Sequence, residues 1–303
     1  MISVVIPLYN KAGLIGRALD SILRQEDTDA EVIIVDDGST DSGAEVARRF
    51  GCAATTLRSN NPGVVLRIIA QANAGVGAAR NRGIAEARGE WVAFLDADDE
   101  WLPGHLAALR RLAAEHPACD VVATNYENRL ADGQTVPNRL KGLERYLREG
   151  VITDYFSLAA ESNPPLWTSA LMVRKRAIEA VGGFPTGIRS GEDLLTWARL
   201  AARGAVAFDP EPSAVYHRGS SNPRPPEAVD EVGLGLEALL KELGGKSLRR
   251  YVAMWYNMRM SRCLAHRMYA RALRALLKSL RYRPTPRILK PLAVYTLLGL
   301  RSR

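Results

Sequence analysis

The fold of this chain is decided by a short apolar run that ends in two carboxylates, Val32-Ile33-Ile34-Val35-Asp36-Asp37-Gly38-Ser39. A later stretch repeats the pattern, Val92-Ala93-Phe94-Leu95-Asp96-Ala97-Asp98-Asp99. Four or five apolar residues followed by turn formers are typical of a buried parallel strand. Ligands of open α/β sheets bind beyond the carboxyl ends of such strands, so both stretches place acids at a predicted ligand site.

The acids of the second stretch predict a bound metal ion. Asp96, Asp98 and Asp99 lie close together in the sequence, and each negative charge opposes the ionisation of the next unless a cation is present. Carboxylate oxygens suit hard ions such as Mg²⁺ or Mn²⁺, which can hold a diphosphate and neutralise a leaving group. The alternative is a solvated turn that caps a helix starting near Pro103.

Composition limits the class of protein. The 303 residues suffice for one large or two small domains, and a hydrophobic content of 47% is ordinary for a soluble protein. The widely spaced Cys52, Cys119 and Cys263 form no metal-binding pattern and favour a reducing compartment. The first strand begins almost at once, so we expect no secretory signal, and no stretch reaches the roughly 18 uncharged residues of a spanning helix.

The net charge of +8 is distributed unevenly. Residues 241–303 hold 16 Lys and Arg and one acid, Glu242, whereas residues 1–240 carry a net charge of −7. An acidic body and a basic tail indicate modules with different partners. We therefore predict two domains, residues 1–225 and 226–303, joined by the proline-rich stretch around 210–226.

Strands and helices alternate in the first half of the chain. The predicted strands are Ile2–Leu8, Glu31–Val35, Val64–Ala70 and Trp91–Leu95, and the helices between them are Ala12–Gln25, Thr40–Phe50 and Gly77–Arg88. This order predicts an α/β fold with a parallel sheet. Later predicted elements are helix Pro103–His116, strand Asp120–Asn125, irregular structure over about 126–166, strand Thr168–Val173, and helices Arg174–Val181 and Glu192–Arg203.

A glycine-rich turn precedes the third predicted helix, in the stretch Asn73-Ala74-Gly75-Val76-Gly77-Ala78-Ala79-Arg80-Asn81. It resembles an anion site at a helix N-terminus, with Arg80 directed at phosphate, and the alternative is a turn followed by a surface arginine. Because Arg80 occupies the third glycine position, the stretch is not a dinucleotide-binding fingerprint.

Other residues have a functional and a structural interpretation. Asp37 can accept from a nucleotide base or ribose, or can belong to an ordinary Asp-Gly-Ser turn. Glu192 and Asp193 open a predicted helix, where acids can act as a general base or merely favour the helix dipole. His217 can bind a metal or phosphate, or can be structural.

Together these motifs resemble the inverting, GT-A-fold nucleotide-sugar glycosyltransferases of family 2, over about residues 1–220. The matching motifs are Val4-Val5-Ile6-Pro7-Leu8-Tyr9-Asn10, Val35-Asp36-Asp37-Gly38-Ser39, Gly77-Ala78-Ala79-Arg80-Asn81-Arg82-Gly83, Phe94-Leu95-Asp96-Ala97-Asp98-Asp99, Gly182-Gly183-Phe184 and Gly191-Glu192-Asp193. The resemblance implies a Rossmann-like, mostly parallel sheet flanked by helices, here with a basic helical extension at the C-terminus.

The resemblance also implies roles for single residues. Pro7, Tyr9 and Asp37 line the base, usually uracil, and Asp96 meets the ribose. Asp98 binds the metal, and His217 matches a position that closes over the diphosphate. Asp193 is the catalytic base, with Glu192 beside it. The predicted site therefore comprises Pro7, Tyr9, Asp37, Arg80 and Asp96 for the nucleotide, Asp98 and His217 for the metal, and Asp193 and Glu192 for catalysis.

The implied activity is that of a metal-dependent hexosyltransferase that moves a sugar with inversion from a UDP-sugar to a hydroxyl of a glycan or a polyprenyl-lipid-linked acceptor. A nucleotidyltransferase is the nearest alternative enzyme, but Pro7–Gly13 lacks the glycine-rich basic loop of that class. An inactive membrane-associated scaffold of the same fold is the other alternative.

The basic tail has two interpretations. Apolar residues recur near helical spacing at Leu248, Val252, Trp255, Met258, Ala265, Tyr269, Leu273, Leu276 and Leu280, with arginines on the remaining face. These helices can pack on the catalytic domain, or form an amphipathic contact with an anionic bilayer at the cytoplasmic face of the membrane. The apolar segment Ile288–Leu300 is interrupted by Lys290-Pro291 and is too short to span. We expect no nucleic-acid partner.

Overall fold

The computed structural model of the protein describes residues 1–26, 29–57, 64–218 and 225–283. The chain divides into two compact units, which are Met1–Tyr155 with Asn163–Ser221 and Phe156–Ser162 with Asn222–Arg303. The first unit contains the sheet and all of the predicted site residues. The second unit is helical in its described residues. The domain division at residue 225 stays a prediction.

The strands of the described residues form one sheet. In chain order they are β1 Ile2–Leu8, β2 Ala30–Asp36, β3 Val64–Ala70, β4 Trp91–Phe94, β5 Glu100–Trp101, β6 Val121–Arg129, β7 Thr135–Pro137, β8 Leu147–Arg148, β9 Val151–Ile152, β10 Leu171–Arg174 and β11 Val206–His217. Their spatial order is β3-β2-β1-β4-β10-β6-β11-β9-β8, with β5 paired to β11 and β7 to β6.

Helices occur between the strands and, in the tail, after the last strand of the described residues. The helices of the first 201 residues are α1 Ile15–Leu23, α2 Gly43–Leu57, α3 Val76–Glu86, α4 His105–Glu115, α5 Leu143–Tyr146, α6 Tyr155–Glu161, α7 Lys175–Ala180 and α8 Glu192–Ala201. Those of the tail are α9 Glu231–Leu243, α10 Lys246–Ala265 and α11 Tyr269–Tyr282. The expected α/β class, with a helical extension, is confirmed.

The parallel pairing of β1 to β4 brings the predicted acids to one edge. β1 lies between β2 and β4 and pairs in parallel with both, with Leu8 opposite Asp36 and Val5 opposite Phe94. The buried apolar residues of these strands exclude water from both faces, as their continuous hydrophobic runs predict. Asp36, the last residue of β2, and Asp96, which follows β4, therefore lie at the same end of the sheet on either side of β1.

Two glycines allow α3 to approach the sheet closely. A Cβ atom on Gly83 would collide with the Val5 side chain, and one on Gly77 would lie 2.6 Å from the Pro185 carbonyl oxygen. Asn81 then fixes the helix, because its amide donates to the Phe184 carbonyl at 2.7 Å and accepts from the Phe184 amide at 2.8 Å. The close packing brings Arg80 within reach of Asp96, which follows β4.

Two parts of the second half of the sheet differ from the sequence prediction. The strand predicted at Thr168–Val173 begins only at Leu171, since Thr168–Ala170 form a 3₁₀ turn, and β10 pairs antiparallel with both neighbours. The prolines 210 and 212 do not end the strand, because β11 continues through them. Its register shifts at Asp209/Pro212 and Pro212/Ala214 accommodate the missing amide donors.

The second unit contains the tail helices. Leu248, Val252 and Trp255 are buried as their spacing predicts, whereas Tyr269 and Leu273 are exposed. Asp230 caps α9 by accepting from the Gly233 amide at 3.0 Å. In the described residues, no helix has the length and apolar content needed to cross a bilayer. The predicted segment Ile288–Leu300 lies outside the described residues.

Candidate functional site

The three acids after β4 have different surroundings. The chain turns directly after the strand, with the Asp99 amide donating to the Asp96 carbonyl at 3.0 Å. This turn directs the side chains of Asp96, Asp98 and Asp99 to separate partners, each from a different part of the chain. The Asp-x-Asp motif therefore forms the centre of a network rather than a solvated turn.

Asp96 is paired with Arg80, which reaches it from α3. The Arg80 side chain is almost fully buried and lies 2.8 Å from Asp96 Oδ1 and 2.8 Å from Glu192 Oε1. Burial alone lowers the pKa of Arg80, but the charges of Asp96 and Glu192 raise it above its ordinary value. The guanidinium also lies 5.0 Å from the centre of the Phe184 ring. Arg80 thus joins the strand edge to the start of α8.

Asp98 is paired with Lys11, which follows β1. Lys11 Nζ lies 2.7 Å from Asp98 Oδ2. The backbone of Asp98 is also held, because its carbonyl accepts from Arg17 Nη2 at 2.5 Å. Two cations from the β1–α1 region therefore fix the residue that the sequence assigns to the metal.

Asp99 points into the protein. Its Oδ2 accepts from Ser169 Oγ at 2.6 Å and Trp167 Nε1 at 3.0 Å, and its Oδ1 accepts from the His217 amide at 3.3 Å. Burial, followed by the charge of Asp96, raises the pKa of Asp99 to about 8. Asp99 thereby connects β4 to the segments that precede β10 and end β11.

His217 lies at the end of β11, with Nε2 at 3.7 Å from Glu100 Oε1. Burial, followed by the charge of Arg17, lowers the pKa of His217. The neutral imidazole is the form that binds metals. Its backbone bond to Asp99 brings the chain at His217 next to the Asp96–Asp99 turn.

The donor set can be tested against a divalent cation. Over residues 1–26, 29–57, 64–218 and 225–283, no group of three His, Cys, Asp or Glu side chains is close enough to hold a metal ion. Asp98, however, is a partly exposed hard oxygen donor whose side chain already contacts a cationic group. A Mg²⁺ or Mn²⁺ ion bound at Asp98 would therefore take most of its ligands from water and a diphosphate, as Mg²⁺ commonly does.

Asp37 holds the loop before α3. Its Oδ1 accepts from Gln71 Nε2 at 2.7 Å and from the Ala74 amide at 2.9 Å, and its Oδ2 accepts from the Gly75 amide at 2.8 Å. The loop that the sequence interprets as an anion cradle is therefore fixed by a carboxylate of the neighbouring β2 edge. Its role toward a base stays a prediction.

Pro7 and Tyr9 lie at the end of β1 beside that edge. Pro7 is half-buried opposite Val35 in the strand pair, and Tyr9 is exposed. The next residue, Asn10, accepts from the Thr40 amide at 2.8 Å and so ties this loop to the chain after β2. The predicted base contacts thus share one loop cluster with Asp37.

The predicted catalytic pair opens α8. Glu192 Oε1 is bound to Arg80, whereas Asp193 accepts from the Leu194 amide at 2.8 Å. Burial, followed by the charge of Glu192, raises the pKa of Asp193 to about 7, and the charge of Arg80 opposes this rise. A carboxylate with such a pKa is a stronger base than an exposed aspartate, and about half of it is ionised at neutral pH.

Four residues that contact the acids after β4 are not indicated by the sequence motifs: Lys11, Arg17, Trp167 and Ser169. Lys11 and Arg17 follow β1, and a loop after a parallel strand at this edge is a place where a site residue could have been sought. No such signal exists for Trp167 and Ser169. They precede β10, whose antiparallel direction brings its start to the edge where β4 ends.

Comparison with known proteins identifies the family of this chain. A family model described as "Glycosyl transferase family 2" matches residues 3–182. An uncharacterized glycosyltransferase of Nostoc sp. (strain PCC 7120) is 35% identical over 68% of this chain and 58% of its own length. The succinoglycan biosynthesis protein ExoO of Rhizobium meliloti is 30% identical over 71% of this chain and 60% of its own length. The chain therefore spans somewhat more than half of these two relatives.

Solved structures agree on the fold. TarS residues 1–349 of S. aureus, in complex with UDP-GlcNAc, matches 95% of this chain and 82% of its own at a TM-score of 0.71 and 19% identity. The mannosyltransferase PcManGT of Pyrobaculum calidifontis, in complex with GDP-Man and Mn²⁺, matches 99% of this chain and 80% of its own at a TM-score of 0.59 and 20% identity. The expected GT-A fold is confirmed, and with the family match it establishes that the chain belongs to glycosyltransferase family 2.

Proposed function

We propose that the protein transfers a sugar with inversion from a nucleoside-diphosphate sugar to a hydroxyl of a glycan or polyprenyl-lipid-linked acceptor. The observation that supports this most strongly is the Arg80 bridge between Asp96 and Glu192. It connects the strand edge that suits a nucleotide with the start of α8, where Asp193 has the raised pKa of a base. Both parts of a transfer site are thus held by one buried side chain.

The donor is proposed to lie along the strand edge. Tyr9 and Pro7 contact the base, and the amides of the Asp37-bound loop and the cations Lys11 and Arg17 lie near the same edge. UDP is the proposed nucleotide, since TarS has been solved with UDP-GlcNAc and belongs to the same fold. PcManGT, solved with GDP-Man, makes a GDP-sugar the second donor to test.

The proposed chemistry is a single displacement. The Asp193 carboxylate accepts the proton of the acceptor hydroxyl as that oxygen attacks the anomeric carbon, and the bond to the nucleoside diphosphate breaks on the opposite face. A divalent cation held by Asp98, with His217 nearby, would supply neutralisation of the departing diphosphate. Glu192, bound to Arg80, keeps the first turn of α8 and hence Asp193 in place.

A donor panel tests this proposal. Purified protein is incubated with Mn²⁺ and UDP-, GDP- or dTDP-sugars, with and without lipid extract, and release of nucleoside diphosphate is followed. We expect release from one donor that stops on chelation, and that is absent in Asp193→Asn while Lys241→Met, changed on α9, retains it. No release from any donor, together with no nucleotide binding by calorimetry, would contradict the proposal and favour the inactive scaffold.

We also propose that α11 attaches the protein to the cytoplasmic face of the membrane. Tyr269, Leu273 and Leu277 succeed one another at intervals of four residues on this helix and are 66%, 55% and 59% exposed. The exposed Arg274 and Arg281 follow along the adjacent face. An apolar row bordered by arginines suits an anionic bilayer, where each basic residue contributes about 1 kcal/mol.

Vesicle sedimentation tests the membrane proposal. We expect the protein to bind vesicles that contain phosphatidylglycerol, and binding to fall strongly in Leu273→Glu and Leu277→Glu. Leu234→Glu is the matched control, because Leu234 is a similarly exposed leucine, at 47%, on α9. Equal binding by all four proteins would show that α11 does not insert.

A further inference from the structure

Lys11 occupies a position from which it can compete with a metal ion. Its Nζ contacts the carboxylate of Asp98 at 2.7 Å, and the two side chains are 26% and 18% exposed. Its backbone is anchored, since the Lys11 carbonyl accepts from the Leu14 and Ile15 amides, each at 2.9 Å. The ammonium is therefore held close to Asp98 by the start of α1.

Arg80 and Lys11, the cationic side chains that pair with Asp96 and Asp98, differ in how firmly they are bound. Arg80 is buried between Asp96 and Glu192 and contacts both at 2.8 Å, so its removal would leave the buried Glu192 and the partly exposed Asp96 without this partner. Lys11 is a point charge on a flexible stem, and one ion pair joins its ammonium to Asp98 in a partly solvated setting. Displacing the cationic partner of Asp98 therefore costs less free energy than displacing that of Asp96.

We propose that Lys11 is an exchangeable counter-charge: a divalent cation binds Asp98 by displacing the Lys11 ammonium. This inference rests on the proposed function, in which Asp98 holds that cation. The ammonium at 2.7 Å already occupies Oδ2 of Asp98, so a cation that uses this oxygen competes with it both for the position and for the negative charge. Lys11 therefore weakens metal binding until a diphosphate supplies further oxygen ligands and a new partner for the ammonium.

Manganese binding to the nucleotide-free protein tests the exchange. Free and bound Mn²⁺ are distinguished by electron paramagnetic resonance for the wild type, Lys11→Met, Lys11→Arg and Asp98→Asn, with Lys241→Met as the matched control. We expect Lys11→Met to bind Mn²⁺ about tenfold more tightly, equivalent to about 1.4 kcal/mol. Lys11→Arg retains the charge and should bind as weakly as the wild type, and Asp98→Asn should lose the site.

The outcomes separate this inference from the proposed function. Equal affinities of the wild type and Lys11→Met, both lost in Asp98→Asn, would overturn the exchange and leave the metal site at Asp98 in place. Binding that is unaffected by Asp98→Asn would overturn both the exchange and the assignment of the metal to Asp98. Binding that is absent from every variant would overturn the exchange alone, because the proposed function is tested with the nucleotide-sugar donor present. Because Lys11→Arg keeps the ion pair, an effect confined to Lys11→Met also excludes general unfolding as its cause.

Discussion

Asp37, Asp96 and Asp98 follow the carboxyl ends of β2 and β4 and form hydrogen bonds or ion pairs with residues distant in the sequence. Asp193 on α8 instead accepts a hydrogen bond from the backbone amide of the next residue. The difference separates two uses of the same side chain. Carboxylates with strong donors hold loops and helices in place. Asp193, which burial and Glu192 make harder to ionise, has the properties needed to accept a proton.

The largest effect is expected from removing the proposed base, Asp193. Asp193→Asn keeps the shape of the side chain but cannot accept the acceptor's proton, and we expect turnover to fall about a thousandfold, within the range of general base catalysis. Nucleotide affinity should change little, because the strand edge is intact. Turnover retained in Asp193→Asn would show that Asp193 does not act as the catalytic base.

The next effect concerns stability. Arg80→Met removes the partner of the buried Glu192 and of Asp96, which is 22% exposed, and breaking a buried pair lowers the free energy of unfolding by about 3 kcal/mol. Arg82→Met is the matched control, since Arg82 is 53% exposed on the same helix and pairs with Glu86 within it. Chemical denaturation measures both. Equal, small losses in the two variants would contradict a structural role for the Arg80 bridge.

A smaller loss of stability is expected from a change at Asp37, which follows the carboxyl end of β2. Asp37→Asn replaces an acceptor of three hydrogen bonds by a group with one acceptor oxygen, so at least one donor of the 71–75 loop loses its partner. We expect a loss of about 1–3 kcal/mol in stability. Weaker nucleotide binding should accompany it, as calorimetry can measure. Unchanged affinity with reduced stability would limit Asp37 to holding the loop.

The smallest effect is expected in how kcat/KM and stability change with pH. With a pKa of about 7, Asp193 is protonated below neutral pH, so we expect kcat/KM to fall as pH decreases through 7, by about tenfold per unit at the lower end. Because this pKa is raised above the unfolded value of 3.8, ionisation opposes folding, and stability falls as pH rises from about 4 through 7. Asp193→Asn should abolish this component of both profiles.

The sequence predicts the first half of the sheet better than the second half. Each of β1 to β4 is a separate apolar run followed by a turn, so parallel order and the shared edge follow from local pattern. The direction of β10 depends on which strands it pairs with, and no local pattern reports it. The continuation of β11 through Pro210 and Pro212 likewise depends on bulges that tertiary pairing creates.

The candidate site was predictable as a list of acids but not as a network. Motif spacing brings Asp96, Asp98 and Asp193 into consideration, yet it does not reveal that Arg80 binds Glu192 or that Lys11 binds Asp98. Those contacts depend on the packing of α3 and on the loop after β1. In the tail, spacing assigns Tyr269 to the same face as Val252, but α10 and α11 are separate helices, and Tyr269 is exposed.

The Arg80 bridge has a consequence for engineering new specificities. Chimeras that combine the first half of one family member with the second half of another would be joined between β6 and β10, which separates Arg80 from Glu192. A graft that does not supply an acid at the position of Glu192 would leave a buried guanidinium with one of its two partners missing. Segments from the second half of the chain are therefore interchangeable only between parents that share this charge pair.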